Sequence, residues 1–563
     1  MHGAFTPTPR EPHTPPMRPE DQTRIKTELK SRLVDEKVRL AQEGKLSLDE
    51  VIADSIYYER ARLKEDHHAR AHDADLRFWE GVQRRLPRAN ERELERLLGE
   101  IVARYAEEIC GNFDDRIYKL STRILPPAIG LLVNAVSPKR LLHSLPDLPQ
   151  LEEQVVVQGE TEHLRRLHER GTVILCPTHV SNLDSIVMGL AIYRLGLPPF
   201  IYGAGLNLFE NPLLGFFMRN LGAYTVDRKK KDPLYKEALK TYATLTLEYG
   251  YDNLFFPGGT RSRSGAIERH LKLGLLGTSI PAYIDNLLAE KPDPRIYIVP
   301  ATLSFQLCLE AETLIDDFLK EVGKSRYIIT DDEFSRPATV LDFIRQLFNL
   351  DSKIYVTLSR GYDPFGNAVD DEGQSLDPRG RTIDPKAYVL VDGLPTRRPQ
   401  RDAEYTKELG QRVADAFMRD NVIQSTHLTA RALFTLLRRH NREIGLLRLI
   451  RVGGPHDNFD QREVYRETDR LLQELRGLER RGGIRLAPHI RDAAADEIVA
   501  DGLRHFAIFH SQRAAERRGD RIFAVDRNLL FYYQNRLEGY RLDRTAGLPP
   551  ALAPDHRSLG VSP

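Results

Sequence analysis

Between residues 155 and 358 the chain breaks repeatedly into short runs rich in β-branched and aromatic residues, at 155–157, 172–176, 253–256, 296–299 and 353–358. Stretches with helical spacing separate them, as at 234–249 and 271–283. Strands alternating with helices leave few options. Parallel neighbours need a long crossover, and the helix that supplies it covers one face of the sheet. The expected fold is α/β, a mostly parallel sheet flanked by helices.

The flanks read differently. From Asp21 to about Gly111 the chain is dense in Arg, Glu and Leu, with apolar residues at helical spacing as in 91–105. After Ala403 helical patterns return at 429–450, 462–478 and 493–509. The expected organisation is a disordered lead (1–20), a helical N-terminal region (21–120), an α/β domain (121–400), a helical C-terminal region (401–547) and a flexible tail (548–563). The stretch 361–393 is rich in Gly, Pro and Asp and reads as a long loop, and no internal repeat is evident.

Composition narrows the function. With 41% hydrophobic and 29% charged residues the chain is globular. Its 82 Lys and Arg against 81 Asp and Glu give a net charge of +1, so bulk attraction to nucleic acid is excluded as an organising principle. Cys110, Cys176 and Cys308 form no C-x-x-C pair, which excludes a disulfide framework or zinc ribbon and fits a reducing compartment. The longest apolar run, 124–136, is too short to span a bilayer and contains Pro126, Pro127 and Asn134. Nor does the N-terminus read as a secretory signal. The chain is expected to be soluble or to lie on a membrane without crossing it.

Three stretches carry chemistry. The first runs through the apolar 172–177 to His179, Ser181 and Asp184. Ser181-x-x-Asp184 has the spacing of a helix capping box. If His179 sits before that helix, Asp184 can point back at the ring, fix its tautomer and leave the other nitrogen free to take a proton from a hydroxyl. The second stretch, Pro257 to Gly265, sets Gly258, Gly259, Thr260, Arg261, Ser262, Arg263 and Ser264 after an apolar strand, with Lys272 nearby. Backbone N–H groups and guanidinium forks converging on an anion form a phosphate site. The third, 203–228, is apolar and glycine-rich and holds Arg219 and Arg228. It reads either as a buried helix–strand connection or as the wall of an acyl-chain site with those arginines at its polar end.

In chain order the blocks resemble the glycerolipid acyltransferase superfamily, most closely its glycerol-3-phosphate and dihydroxyacetone-phosphate branch. The His-x4-Asp block is 179–184, the second ends at Arg219 and Arg228, the third is 256–265, and the fourth is the strand from Ile296 to Pro300. The core resemblance covers about 155–310. The segment 265–276 and the C-terminal stretch 526–536 are similar to large bacterial glycerol-3-phosphate acyltransferases.

The resemblance implies that His179 is a general base oriented by Asp184. It implies an acyl-CoA or acyl carrier protein donor, and glycerol 3-phosphate as acceptor, giving 1-acylglycerol 3-phosphate for phospholipid synthesis. Arg219, Arg228, Gly259, Thr260, Arg261, Ser262, Arg263 and Lys272 are the implied substrate-binding residues. Dihydroxyacetone phosphate and 1-acylglycerol 3-phosphate are alternative acceptors, and a non-catalytic lipid-binding relative is the rival class. No metal or cofactor beyond the co-substrate is implied. The expected place is the cytoplasmic face of the cell membrane, as a peripheral protein.

One position departs from the family pattern. The third block usually carries a glutamate where this chain has Gly258. Elsewhere, Gly323-Lys324-Ser325 resembles the end of a phosphate-binding loop, but Phe318 stands where that motif needs its first glycine. The stretch 429–451, where leucines alternate with arginines, is a candidate membrane contact or a packed helix with a basic solvent face. Lys229, Lys230 and Lys231 offer a second basic spot.

Overall fold

The computed structural model describes residues 17–65, 72–111, 154–205, 222–322, 352–506 and 510–542. The expected tail, most of the expected lead, the run 124–136, Arg219 and Gly323-Lys324-Ser325 lie outside the described residues.

Seven strands form the central sheet: β1 (Val155–Gly159), β2 (Thr172–Pro177), β3 (Ile201–Gly205), β4 (Ala223–Val226), β5 (Asn253–Leu254), β6 (Ile296–Phe305) and β7 (Ile354–Leu358). Their order is β1-β7-β6-β2-β5-β3-β4. All pairs are parallel except β6 with β7. Every residue of β2, β6 and β7 is buried, as an unbroken apolar run demands when helices cover both faces. The expected strand at 253–256 is paired only over two residues, and β3 and β4 arise at the ends of the third motif stretch.

The N-terminal helices α1 (Pro19–Gln42), α2 (Leu48–Glu65), α3 (His72–Arg85) and α4 (Glu91–Ile109) pack against the sheet's β4 edge. Ile25, Leu29, Trp79 and Tyr105 share one apolar cluster with Tyr235, Tyr242 and Tyr251. Lys230 is buried in that seam rather than offering a solvated basic spot. Its ammonium lies 4.7 and 5.0 Å from the rings of Tyr105 and Tyr235 and pairs with Glu59 at 3.2 Å and with Glu108. A cation so enclosed is held by carboxylates and aromatic faces together.

The stretch 361–393 does contain a repeat. Asp363, Asp370 and Asp377 recur every seven residues, each followed three positions later by a glycine with positive φ (Gly366, Gly373, Gly380). Each aspartate side chain accepts two backbone N–H bonds, from Phe365 and Asn367, Glu372 and Gln374, and Arg379 and Arg381. Between the turns run the two-residue strands β8 (Ala368–Val369), β9 (Ser375–Leu376) and β10 (Thr382–Ile383), a small antiparallel meander. Two apolar-leaning residues per turn are too few for a strand pattern, and the Asx turns set the register.

In the C-terminal region the helix Ser425–His440 is buried throughout Ser425–Leu437. Leu433, Phe434, Leu436 and Leu437 face the core, and Arg431 is buried with its Nη1 donating to Gln534 Oε1 at 2.6 Å. Most of the candidate membrane stretch is thus interior. What reaches the surface is Leu447 and Val452 on the short helix Leu446–Val452, beside exposed Arg442, Arg448 and Arg451.

Candidate active site

β2 ends at Pro177, and a turn leads into the helix Asp184–Arg194 at the C-terminal edge of the sheet. Crevices at that edge are where open α/β sheets bind ligands. The helix begins at Asp184 itself, with Leu183 as an uncapped N-cap, so the expected capping box with Ser181 does not form. The carboxylate is used by the turn instead. Asp184 Oδ2 accepts from Val180 N at 2.6 Å and Ser181 N at 2.9 Å, and lies 2.7 Å from His179 Nδ1.

A carboxylate that already accepts two backbone N–H bonds imposes the donor role on Nδ1. The lone pair is left on Nε2. The His179 ring stacks on Phe256, with centroids 4.3 Å apart and planes 22° apart. Asp184 is fully buried, while 13% of the His179 side chain reaches solvent. The ring is held by Asp184 and Phe256 and stays partly exposed. Burial lowers its pKa below 6.5, Asp184 acts in the opposite sense, and the charges of Arg261 and Arg228 add to the lowering. The imidazole is neutral at neutral pH, as a general base must be.

The second stretch is pinned onto this turn. Ser262 N donates to His179 O at 2.8 Å, and His179 N donates to Glu268 Oε1 at 3.0 Å. Gly259 takes φ of +76°, with Lys272 lying against it, and Lys272 N donates to Pro257 O at 2.6 Å. Thr260 is exposed, and Ser262 Oγ donates to Ala266 O at 2.6 Å. The carboxylate of Glu310 joins the two stretches. It accepts from Ser181 Oγ at 2.8 Å, Asn182 N at 2.9 Å and Arg261 Nη1 at 3.3 Å.

Arg261 is thereby fixed beside the histidine turn. Arg263 diverges from it and pairs with Glu321 at 2.7 Å. Glu310 and Glu321 flank opposite ends of the helix Ala311–Val322, about 16 Å apart along its axis. Arg228 follows β4 on an exposed turn, and desolvation and then the like charge of Arg261 lower its pKa. The structure therefore gathers His179, Asp184, Arg261 and the loop 258–262, with Arg228 and Lys272 at the margin.

Glu268 and Glu310 were not among the residues expected from sequence. Glu268 falls within the quoted segment after the third block, but no spacing singles it out. Glu310 has no sequence signal at all.

A separate open cleft lies at the other edge of the sheet, lined by Tyr283, Arg295, Tyr297, Asp363 and Lys386 among others. Tyr297 pairs with Val173 at the start of β2, whereas His179 follows its end. That cleft contains none of the residues gathered around His179.

Residues 155–304 match the family model described as Acyltransferase. The curated relatives carry a narrower name. The chain is similar to a glycerol-3-phosphate acyltransferase of Aeromonas hydrophila subsp. hydrophila, 29% identical over 211 residues, 37% of this chain and 23% of that protein. It is similar to one of Pseudoalteromonas translucida, 28% identical over 218 residues, 38% of this chain and 23% of that protein. To one of Baumannia cicadellinicola it is 28% identical over 263 residues, 46% of this chain and 27% of that protein. The chain spans about a quarter of the length of these relatives.

Proposed function

We propose that this protein moves a fatty acyl group from acyl-CoA or acyl carrier protein to the hydroxyl of glycerol 3-phosphate, forming 1-acylglycerol 3-phosphate. The observation that carries the reading is His179 Nδ1 held 2.7 Å from a buried Asp184, with Arg261 beside it. His179 Nε2 takes the acceptor's hydroxyl proton as that oxygen attacks the thioester carbonyl. A C–O bond forms, the tetrahedral oxyanion collapses, the C–S bond breaks, and the thiolate leaves with the proton returned from Nε2. An ester and a free thiol result.

General-base assistance of this kind supplies roughly 10²–10⁴-fold, and holding the acceptor at attack distance supplies the larger share. Arg261 is the first anchor for the acceptor's phosphate, with Arg228 and Lys272 at the rim. Arg263 reaches it only by exchanging Glu321 for the ligand. The thioester is already activated, so the scheme uses neither an acyl-enzyme nor a cofactor. Names of the matched relatives support glycerol 3-phosphate as acceptor.

The donor and product carry acyl chains, which places the work at a membrane surface. Among the described residues no helix is long and apolar enough to cross one. Peripheral contact through the region of Leu447 and Val452, on the cytoplasmic face of the cell membrane, fits this reading.

Thiol release from palmitoyl-CoA, measured with glycerol 3-phosphate, dihydroxyacetone phosphate and 1-acylglycerol 3-phosphate in parallel, tests it. The expected result is fastest release with glycerol 3-phosphate. Release with none of the three, alongside measurable acyl-CoA binding, would make the protein a non-catalytic binder.

A further inference from the structure

Gly258 is the point where this chain parts from the pattern it resembles, and the structure shows what fills the space. A Cβ built on Gly258 would stand 2.5 Å from Glu268 Cδ and 2.5 and 2.8 Å from its two carboxyl oxygens. Real Cβ atoms do not approach other atoms that closely. The backbone of Gly258 is not in the left-handed region, so its conformation does not demand glycine. The neighbour that a side chain there would displace is the carboxyl end of Glu268.

That carboxyl group lies behind the catalytic turn. Oε1 accepts the N–H of His179 itself at 3.0 Å. Oε2 is buried and has no hydrogen-bond partner among the described residues. A buried polar oxygen without a partner costs free energy comparable to a lost hydrogen bond, so its retention at this place asks for a reason beyond packing.

We propose that Glu268 is the positioning residue of this active site, that it supplies from ten residues downstream the carboxyl group missing at position 258, and that Gly258 and Glu268 form one exchangeable unit holding the backbone of His179. The proposal rests on the reading of His179 as general base.

The mechanism is local. His179 is the first residue beyond the strand end that carries chemistry, and its ring direction depends on where its own backbone sits. Four bonds fix that turn: one to Glu268 from the His179 N–H, one from Ser262 N to the His179 C=O, and two to Asp184 from the N–H groups of the next two residues. Removing the first lets the turn shift against Phe256, and displacements of about 1 Å cost on the order of 100-fold in rate.

The protonation state follows from the surroundings. Burial pushes the Glu268 pKa up to about 8, the His179 N–H bond lowers it, the charge of Asp184 adds to the rise, and Arg536 opposes it. Lys272 and the adjacent Arg269 and His270 are exposed. At neutral pH Glu268 is therefore a neutral acid, able to accept at Oε1 and donate at Oε2. Glutamine has the same two capacities. Ionisation above about pH 8 would set a second negative charge beside Asp184, raise the basicity of His179 and repel an anionic acceptor.

The test uses full-length protein, with thiol release from palmitoyl-CoA and the acceptor that works best. Glu268→Ala should lower kcat roughly 100-fold with little change in acceptor KM. Glu268→Gln should retain most of the activity and lose the alkaline fall near pH 8. Gly258→Glu alone should be inactive or poorly folded, because two side chains compete for one space. Gly258→Glu combined with Glu268→Ala should recover at least tenfold over Glu268→Ala. Thermal melts of each variant separate misfolding from misplacement.

Wild-type kcat and an unchanged pH profile in folded Glu268→Ala would overturn the proposal, as would a double variant no better than Glu268→Ala. His179→Ala runs beside them. If it keeps full activity, the general-base reading fails; if it is dead while Glu268→Ala is fully active, only the positioning role fails.

Discussion

His179, Asp184, Glu268 and Glu310 form one connected set, yet only the first two could be read from the chain. Five residues separate His179 from Asp184, so a single turn brings them together. The bonds to Glu268 and Glu310 span 89 and 128 residues, and no local pattern encodes a partner at that distance. Ser181 shows the opposite error: its spacing to Asp184 suggested a cap, but that carboxylate serves the His179 turn and the serine hydroxyl binds Glu310. Glu310→Ala removes the carboxylate that accepts from Ser181 Oγ, Asn182 N and Arg261. Breaking one side of a buried charged pair costs about 3–5 kcal/mol, so the denaturation midpoint should drop sharply; an unchanged midpoint would contradict the network. The pH profile is a second check. His179 has its pKa lowered from 6.5, chiefly by burial, and protonation removes the Nε2 lone pair. The acid limb of kcat/KM should therefore fall below pH 6.5, whereas a limb above that value would mean that another group titrates.

Elements were legible where burial forces a simple pattern. β2 and β6 stand out because both faces are covered, and every position can be apolar. β5 is blurred, because Phe255 and Phe256 continue the apolar run beyond the paired residues, and Phe256 stacks on the His179 ring instead. The meander at 363–383 was invisible as strands, since its register comes from Asp and Gly in the turns. The helix Ser425–His440 misled in a different way. Its arginines suggested a solvent or membrane face, but Arg431 is buried against Gln534 and Arg439 pairs with buried Glu467 at 2.9 Å. Leu436 is fully buried there. Leu436→Ala should destabilise the protein by about 2–5 kcal/mol in chemical denaturation, whereas a cost under 0.5 kcal/mol is what a surface position would give.

For the molecule as a whole, the helices 19–109 are part of one packed body with the sheet edge. Lys230, Tyr105 and Asp232 join them through a buried hydrogen-bond and ion-pair network. Net charge is +1, so any attraction to an anionic bilayer must be local. Arg442, Arg448 and Arg451, close in sequence to Leu447 and Val452, combine exposed cations with exposed apolar side chains. Replacing Leu447 and Val452 by Asp should weaken co-sedimentation with anionic vesicles several-fold and leave thiol release from a soluble donor intact. Undiminished co-sedimentation would move the contact elsewhere.

In the proposed reaction a neutral imidazole, oriented by the carboxylate behind it, removes the acceptor's proton. The most direct measurement of that step is the single-turnover rate of thiol release by His179→Ala against wild type, both saturated with acyl-CoA and acceptor and both shown folded by their melting curves. A loss of at least about 100-fold is expected in the variant. A rate within a few-fold of wild type, with the fold intact, would contradict it.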